Sequence, residues 1–311
     1  MPIVSVILPN YNHAQYLTQR IESILNQTYQ DFELIILDDC STDNSKEIID
    51  AYKSNPKISH LVFSEKNTGN PFEQWYNGVK LAKGEFVWIA ESDDWAEPNF
   101  LSELVTKIQQ DNNIGLVYCN SVIEIDNQFI SDFSSVKNKR FNTTHWAKSH
   151  TVRGVDEINQ FLLRDCTINN ASAVLIRREL LEKILPIHEQ FRFSGDWFCY
   201  LRIASFMDIS YLHCSLNHYR EHSVNTSKLA GYNYLKEVFY MYDWVLKNKI
   251  AHQDIVLKAF DRYTSDLYSG DLKWNFIKDF RLLLPINSLL FRRLTRKNMK
   301  RFIKKHFQKF D

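Results

Sequence analysis

Short apolar runs alternate with amphipathic stretches along the larger, N-terminal part of the chain, and this alternation predicts the architecture. Ile3 to Leu8 is an apolar run stopped by Pro9-Asn10. Tyr16, Leu17, Ile21, Ile24 and Leu25 then recur at helical spacing, with Asn12 placed to cap them. Phe32 to Leu37 is a second run and ends in Asp38-Asp39; Ser41 to Ser45 supplies cap chemistry for a helix through Ile48, Ile49 and Tyr52. A third strand, Ile58 to Phe63, leads through a polar loop to a helix over about 72–83. Phe86 to Ala90 comes next, opened by Gly84 and running into Glu91-Ser92-Asp93-Asp94. Apolar runs this short, separated by helices, are strands of a parallel sheet buried on both faces.

Further on, the pattern predicts a helix over 100–109, a strand over 114–118, a strand over 171–176 and a short helix over 178–184. Ser194-Gly195 opens a helix that begins Asp196-Trp197, and a last strand falls within 208–220. Residues 126–154 are polar with weak periodicity, which predicts long loops forming a flap over a site. From about residue 232 only helical patterns remain, with Leu235, Val238, Phe239, Tyr242 and Val245 on one stripe. The expected organisation is therefore an α/β domain over 1–228 and a helical region over 229–311.

Composition narrows the classes. The chain has 311 residues, 44% hydrophobic and 24% charged, ordinary for a globular protein with a full core. A net charge of +1 gives no pull toward nucleic acid. Five cysteines without a CxxC pair argue against a zinc knuckle or disulfide framework and suggest a reducing compartment. The first strand follows the initial Met directly, and no apolar run approaches the roughly 18 residues of a membrane span, so a cytoplasmic location is expected. One segment departs from this balance. Arg292, Arg293, Arg296, Lys297, Lys300, Arg301, Lys304 and Lys305 are interleaved with Phe291, Leu294, Phe302, Ile303 and Phe307. A basic amphipathic segment over 291–309 suits an anionic membrane surface, so peripheral attachment at the inner face is one expectation. A terminal helix packed on its own domain is the plainer one.

The candidate chemistry sits at strand ends. Carboxylates cluster after two strands of a sheet whose carboxyl rim is where ligands bind. An isolated acidic turn is more often a helix cap, with Asp94 the candidate here. Two such clusters on one rim, beside Pro9-Asn10-Tyr11-Asn12, read better as a ligand platform. Tyr11 can stack a base, the Asp38-Asp39 pair can accept from a base or ribose, and Asp93 can hold a divalent cation against a diphosphate. No GxGxxG follows a strand, which argues against a dinucleotide oxidoreductase, and no glycine-rich loop follows the first strand, against a pyrophosphorylase.

Pro9-Asn10-Tyr11-Asn12, Asp38-Asp39-Cys40-Ser41-Thr42-Asp43, Asn67-Thr68-Gly69, Ala82-Lys83-Gly84-Glu85 and Glu91-Ser92-Asp93-Asp94-Trp95-Ala96-Glu97-Pro98 occur in an order and spacing that resembles family 2 glycosyltransferases. The resemblance covers roughly 1–225. It implies a GT-A fold: a Rossmann-like α/β architecture with a mostly parallel central sheet flanked by helices, here followed by a C-terminal helical appendage. It also implies inverting, metal-dependent transfer from a nucleotide-diphospho-sugar, usually a UDP-sugar, to a glycan or lipid-linked acceptor of an envelope polysaccharide. Pro9, Tyr11, Asn12, Asp39, Lys66, Gly69, Glu91 and Ser92 would bind the nucleotide. Asp93 would hold Mn or Mg, Asp196 would be the catalytic base, and Arg220 or His222 would face the diphosphate. Nucleic acid is not an expected partner. The chain departs from the family pattern at four places: Glu91 for the first Asp of Asp-x-Asp, Cys40 for Gly, Trp75-Tyr76 for the first two residues of Ala-Arg-Asn, and Gly195 for the first acid of the base pair. These departures leave a catalytically degenerate nucleotide-sugar-binding or scaffold protein as the alternative.

Overall fold

The computed structural model describes residues 1–187, 189–221, 231–269 and 275–307, with side chains described to 300 apart from those of 231, 232, 267 and 269. Contacts divide the chain into two compact units, one of 1–154 with 167–224 and one of 155–166 with 225–311.

In the first unit the chain runs β1 (Val4–Asn10), α1 (Ala14–Leu25), β2 (Phe32–Asp38), α2 (Ser45–Ala51), β3 (Ile58–Phe63), α3 (Pro71–Leu81), β4 (Phe86–Ile89), β5 (Trp95–Ala96) and α4 (Phe100–Ile108). It continues through β6 (Ile114–Ile125), β7 (Gln128–Asp132), α5 (Phe133–Phe141), β8 (His150–Val152) and the single turn α6 (Gly154–Glu157), where the second unit's short segment begins. It returns with β9 (Val174–Arg177), α7 (Arg178–Ile184), α8 (Gly195–Ala204) and β10 (Asp208–Arg220).

The described strands form one sheet in the order β3-β2-β1-β4-β9-β6-β10-β5, with β7 on β6 and β8 on β10. β1 pairs in parallel with β2 and β4, in a register that sets Asn10 opposite Asp38 and Ile7 opposite Ile89. The three strands therefore end on one rim, and the turns at their carboxyl ends lie side by side. Every residue of β1, β2 and β4 is buried, as expected for strands covered on both faces. Their side chains pack with Leu17, Ile21 and Ile24 of α1 and with Phe100, Leu101, Leu104 and Ile108 of α4 in one cluster.

β9 enters antiparallel between β4 and β6, so the sheet is parallel in its first half and mixed in its second. β10 runs parallel to β6 with register shifts between Leu212 and Asn217, and its full length carries Arg220 as far as Glu124. The predicted loop over 126–154 is instead a hairpin, a helix and a strand. Asp126 and Asn127 both take positive φ, +51° and +60°, which gives the tight turn that joins β6 to β7. Asp132 then caps α5 by accepting from the Ser135 N–H. The weak periodicity has a physical cause, because this hairpin is exposed on both faces at Phe129 and Ile130.

The second unit holds residues 155–166, α9 (Gly231–Lys247), α10 (Gln253–Ser269), α11 (Phe276–Leu283) and α12 (Ser288–Phe307). Leu235, Val238, Phe239, Tyr242 and Val245 form the buried stripe of α9, and the Tyr242 hydroxyl donates to the Leu163 carbonyl. On α12, Phe291 and Leu294 are buried, and Arg293 forks onto the Asp261 carboxylate at 2.9 and 2.6 Å. Part of the basic segment is therefore used in packing. No described helix is long and apolar enough to cross a membrane.

Candidate active site

The rim is built by short polar links between the strand-end segments. Asn10 donates to Asp38 at 2.7 Å, and Asp38 in turn accepts from the Ser41 N–H and hydroxyl. Asn12, expected to cap α1, does not: its backbone is left-handed at φ +55°, and its side-chain oxygen accepts from the Thr42 N–H at 2.7 Å. Asp43, beyond the end of β2, takes the capping role, accepting from the Ala14 N–H at 2.9 Å. The β1 and β2 turns are thus stitched to each other, with Tyr11 left 43% exposed on top and Pro9 buried beneath. Cys40 sits at φ +62°, the conformation that makes glycine usual at such a position.

Asp39 is buried and accepts from the Thr68 N–H and hydroxyl and from the Gln74 amide at 2.8 Å. This fixes the loop carrying the exposed Lys66 and the left-handed Gly69. A side chain at Gly69 would meet the Arg192 guanidinium at 3.1 Å, and Asn70 donates to the Phe191 carbonyl at 3.0 Å. The segment leading into α8 is therefore held against the loop that Asp39 positions. Arg192 was not among the residues expected from sequence. Nothing local marks it, because its place depends on a contact more than a hundred residues distant.

The acids after β4 have different environments. The Trp75 indole N–H donates to Glu91 Oε1 at 3.0 Å, so the longer side chain at this position reaches an indole on α3. Asp94 accepts from the Asn170 amide at 2.9 Å and the Arg220 N–H at 3.2 Å, and so is no helix cap. The buried Ser92 hydroxyl lies 2.8 Å from His13 Nδ1. Arg220 donates to the Asp93 carbonyl at 2.9 Å and to Gln19, and its guanidinium stacks over Tyr16. It is 6% exposed, which makes it a strut beneath the cluster. His218 is held between Glu124 and Glu97 at 2.8 and 2.9 Å and stacks on Trp95. His222 lies outside the described residues.

Crowding of like charge shows in the carboxyl groups. Burial, and then the neighbouring Asp93 charge, push the Glu91 carboxyl up to about 8. The same two causes raise Asp94. Among the described residues no group of three or more His, Cys, Asp or Glu is arranged to hold a metal unaided. The donor chemistry still fits a hard cation shared with a ligand, since Mg or Mn takes one or two carboxylates and completes its shell with phosphate oxygens and water. Within the cluster, Trp75 holds Glu91, and Asn170 and Arg220 hold Asp94.

Comparison with known proteins decides the family. The pattern of Glycosyl transferase family 2 matches residues 5–185. The chain belongs to that family. It is 39% identical to Glycosyltransferase GlyG of Streptococcus pneumoniae over 35% of this chain and 36% of that protein, so the match spans about a third of GlyG. An uncharacterized glycosyltransferase of Rickettsia typhi is 29% identical over 92% of this chain and 85% of its own length. Among solved structures, Staphylococcus aureus TarS 1-349 in complex with UDP-GlcNAc superposes with TM-score 0.69 at 18% identity, covering 94% of this chain and 82% of that one. The fold is therefore GT-A, with a helical region added.

In this family 2 chain the remaining departures have structural causes. Asp196 lies in the first turn of α8, where helix N–H dipoles favour a carboxylate. Before it stands Gly195, and a side chain there would meet the Phe72 ring at 2.7 Å and Ile187 at 2.9 Å. The volume of a preceding acid is filled by Phe72 of α3. One turn along α3, Trp75 opens the segment that departs from Ala-Arg-Asn and is paired to Glu91. The departures at 75 and 91 thus meet in one hydrogen bond.

Proposed function

We propose that this protein is a metal-dependent inverting glycosyltransferase that moves a sugar from a nucleoside-diphospho-sugar, of UDP type, to a glycan or lipid-linked acceptor in envelope polysaccharide synthesis. The observation that carries the reading is the single rim on which β1, β2 and β4 end, joining Tyr11, Asp39 and the Glu91–Asp94 cluster. Support comes also from relatives: TarS of Staphylococcus aureus is a poly(ribitol-phosphate) beta-N-acetylglucosaminyltransferase, 36% identical over 34% of this chain. A mannosyltransferase of Pyrobaculum calidifontis, solved with GDP-Man and Mn2+, superposes with TM-score 0.58.

In this reading Tyr11 stacks the base, and Asp39, already held by Thr68 and Gln74, accepts a further donor from base or ribose. Lys66 and Arg192 lend positive charge to the diphosphate side, the part of the family arginine that Tyr76 replaces. Asp93 would hold the divalent ion, which when bound neutralises charge on the leaving diphosphate. Asp196 takes the proton of the acceptor hydroxyl as that oxygen attacks the anomeric carbon from the face opposite the diphosphate.

Donor turnover with Mn on wild type, Asp196→Asn and Asp93→Ala tests the assignment. Asp196→Asn is expected to bind donor normally and lose turnover by at least about a hundredfold. Asp93→Ala is expected to lose Mn-dependent donor binding while keeping its fold. A wild type that binds UDP yet turns over no nucleotide sugar in a broad panel would favour the scaffold reading.

A second reading concerns the helical unit. Phe276, Ile277 and Phe280 on α11 are 47, 65 and 46% exposed, and Leu289 on α12 is 42% exposed. Together with the exposed Arg292, Arg296 and Lys300 of α12 they offer apolar and basic side chains suited to anionic lipid. Flotation with vesicles containing phosphatidylglycerol is expected for wild type and to be lost in Phe276→Ser/Ile277→Ser/Phe280→Ser. Equal flotation of both would reject this surface.

A further inference from the structure

The buried face of α1 consists of Leu17, Ile21, Ile24 and, unexpectedly, Arg20. Arg20 is 0% exposed, and its guanidinium carbon lies 4.9 Å from the centre of the Trp88 ring. None of its three guanidinium nitrogens has a hydrogen-bond partner among the described residues. A guanidinium offers five N–H donors and keeps its charge in proteins, so burying one without partners is costly unless opposite charge lies close by.

The opposite charge is the acid cluster. Trp88 belongs to β4, which passes within two residues of its end into Glu91-Ser92-Asp93-Asp94. Burial draws the Arg20 guanidinium down to about 10, while Asp94, Asp93 and Glu91, in that order, act to hold its charge, and Arg220 opposes it. Glu91 and Asp94 are already tethered, by Trp75 and by Asn170 with the Arg220 N–H. Arg220 braces the backbone of the same cluster from β10. A buried cation within electrostatic reach of three crowded acid side chains therefore acts through charge, since it makes no hydrogen bond to any of them.

We infer that Arg20 is an internal counter-cation for the donor platform, a positioning residue with two linked effects. It keeps the Glu91–Asp93–Asp94 cluster together when no divalent ion is bound. By the same positive charge it weakens the grip of the cluster on that ion, so that ion and product diphosphate can leave. The inference rests on reading Asp93 as the residue that holds the ion.

The test is thermal unfolding of the full chain, followed by tryptophan fluorescence across a MnCl2 titration, with and without UDP. The variants are Arg20→Met, Arg20→Lys and Arg20→Met/Asp94→Asn. Arg20→Met is expected to melt lower than wild type in EDTA yet to gain a larger Mn-induced shift, with half-saturating Mn lower by roughly tenfold, the scale of one nearby unit charge acting on a divalent ion. Arg20→Lys should stay within about twofold of wild type, because the charge is kept. A purely space-filling Arg20 would lower the melting temperature without moving the Mn midpoint, and that result overturns the inference. So does an Arg20→Met midpoint that rises. If Arg20→Met does not fold, the double variant decides: removing one acid should recover folding, and a double variant no better than the single one refutes the counter-charge role. A wild type indifferent to Mn in both series removes the Asp93 reading and this inference with it. A responsive wild type with an unmoved Arg20→Met midpoint removes this inference alone.

Discussion

Gly195 offers a direct test of why one acid of the expected pair is missing. In Gly195→Ala a single methyl is added at the first position of α8, and its carbon would lie 2.7 and 2.8 Å from two carbons of the Phe72 ring and 2.9 Å from Ile187 Cδ1. Ordinary carbon–carbon contact is about 3.5–4.0 Å, so ring and methyl must separate by nearly an ångström. Phe72 is 4% exposed and packs edge-on against Trp75 at 5.1 Å between ring centres, which leaves it little room to turn. Overpacking of this kind costs about 1–3 kcal/mol. The better helix propensity of alanine offsets up to about 1 kcal/mol, leaving a net loss of about 1–2 kcal/mol. For a unit of this size that lowers the melting temperature by roughly 2–8 °C.

Tryptophan fluorescence is the suitable assay, because Trp75, Trp88, Trp95, Trp146 and Trp197 all lie in the first unit. The decisive comparison is with Phe72→Leu and with Gly195→Ala/Phe72→Leu. If the two positions share one volume, the double variant is more stable than the sum of the single losses predicts, by about 1 kcal/mol. Additive losses, or a Gly195→Ala as stable as wild type, would refute the claim that Phe72 excludes a side chain at 195. The same geometry says that Gly195→Glu cannot restore the acid pair.

Three further outcomes are expected. Trp75→Phe keeps the ring against Phe72 but removes the donor to Glu91 Oε1; a stability loss of about 1 kcal/mol and a raised donor KM are expected, and no change in either would separate Trp75 from the site. Cys40→Gly relieves a left-handed residue and is expected to gain up to about 1 kcal/mol in urea unfolding, a loss instead showing that the Sγ contact with the Glu65 carbonyl matters more. At Asp132 burial pushes the carboxyl up, but hydrogen bonds from Ser134, Ser135 and Asn120 outweigh it and hold it at about 2. The folded value lies below the unfolded one of about 4, so its contribution is present above that pH and lost as pH falls toward about 2. Screening at this half-exposed site reduces it to about 1 kcal/mol, read as a flatter acid limb in Asp132→Asn.

The first half of the sheet was legible because β1, β2 and β4 are buried on both faces and flanked by amphipathic helices. That pattern leaves little choice of element, and parallel pairing then places the strand ends together. The hairpin of β6 and β7 was not legible, since its outer residues face solvent on both sides and its turn is Asp126-Asn127. The insertion of β9 between β4 and β6 depends on long-range pairing that no local periodicity records. At the site the acids were visible as a cluster, but the side chains that hold them were not. Trp75, Asn170 and Arg220 decide which carboxylate is tethered, and they lie 16, 76 and 126 residues from their partners.

The departures from the family pattern are better understood as replacements than as decay. At three of the changed positions a neighbour fills the space or a new hydrogen bond forms: Phe72 lies beside Gly195, and Trp75 donates to Glu91. Both replacements come from α3, one turn apart on its buried face. A single helix thus excludes a carboxyl from the entrance to α8 and tethers another on the β4 rim. In the proposed reading Asp93 serves the ion and Asp196 the proton, while the Trp75 indole holds Glu91. That concentration of roles predicts that Trp75 and Phe72 tolerate substitution together better than either does alone.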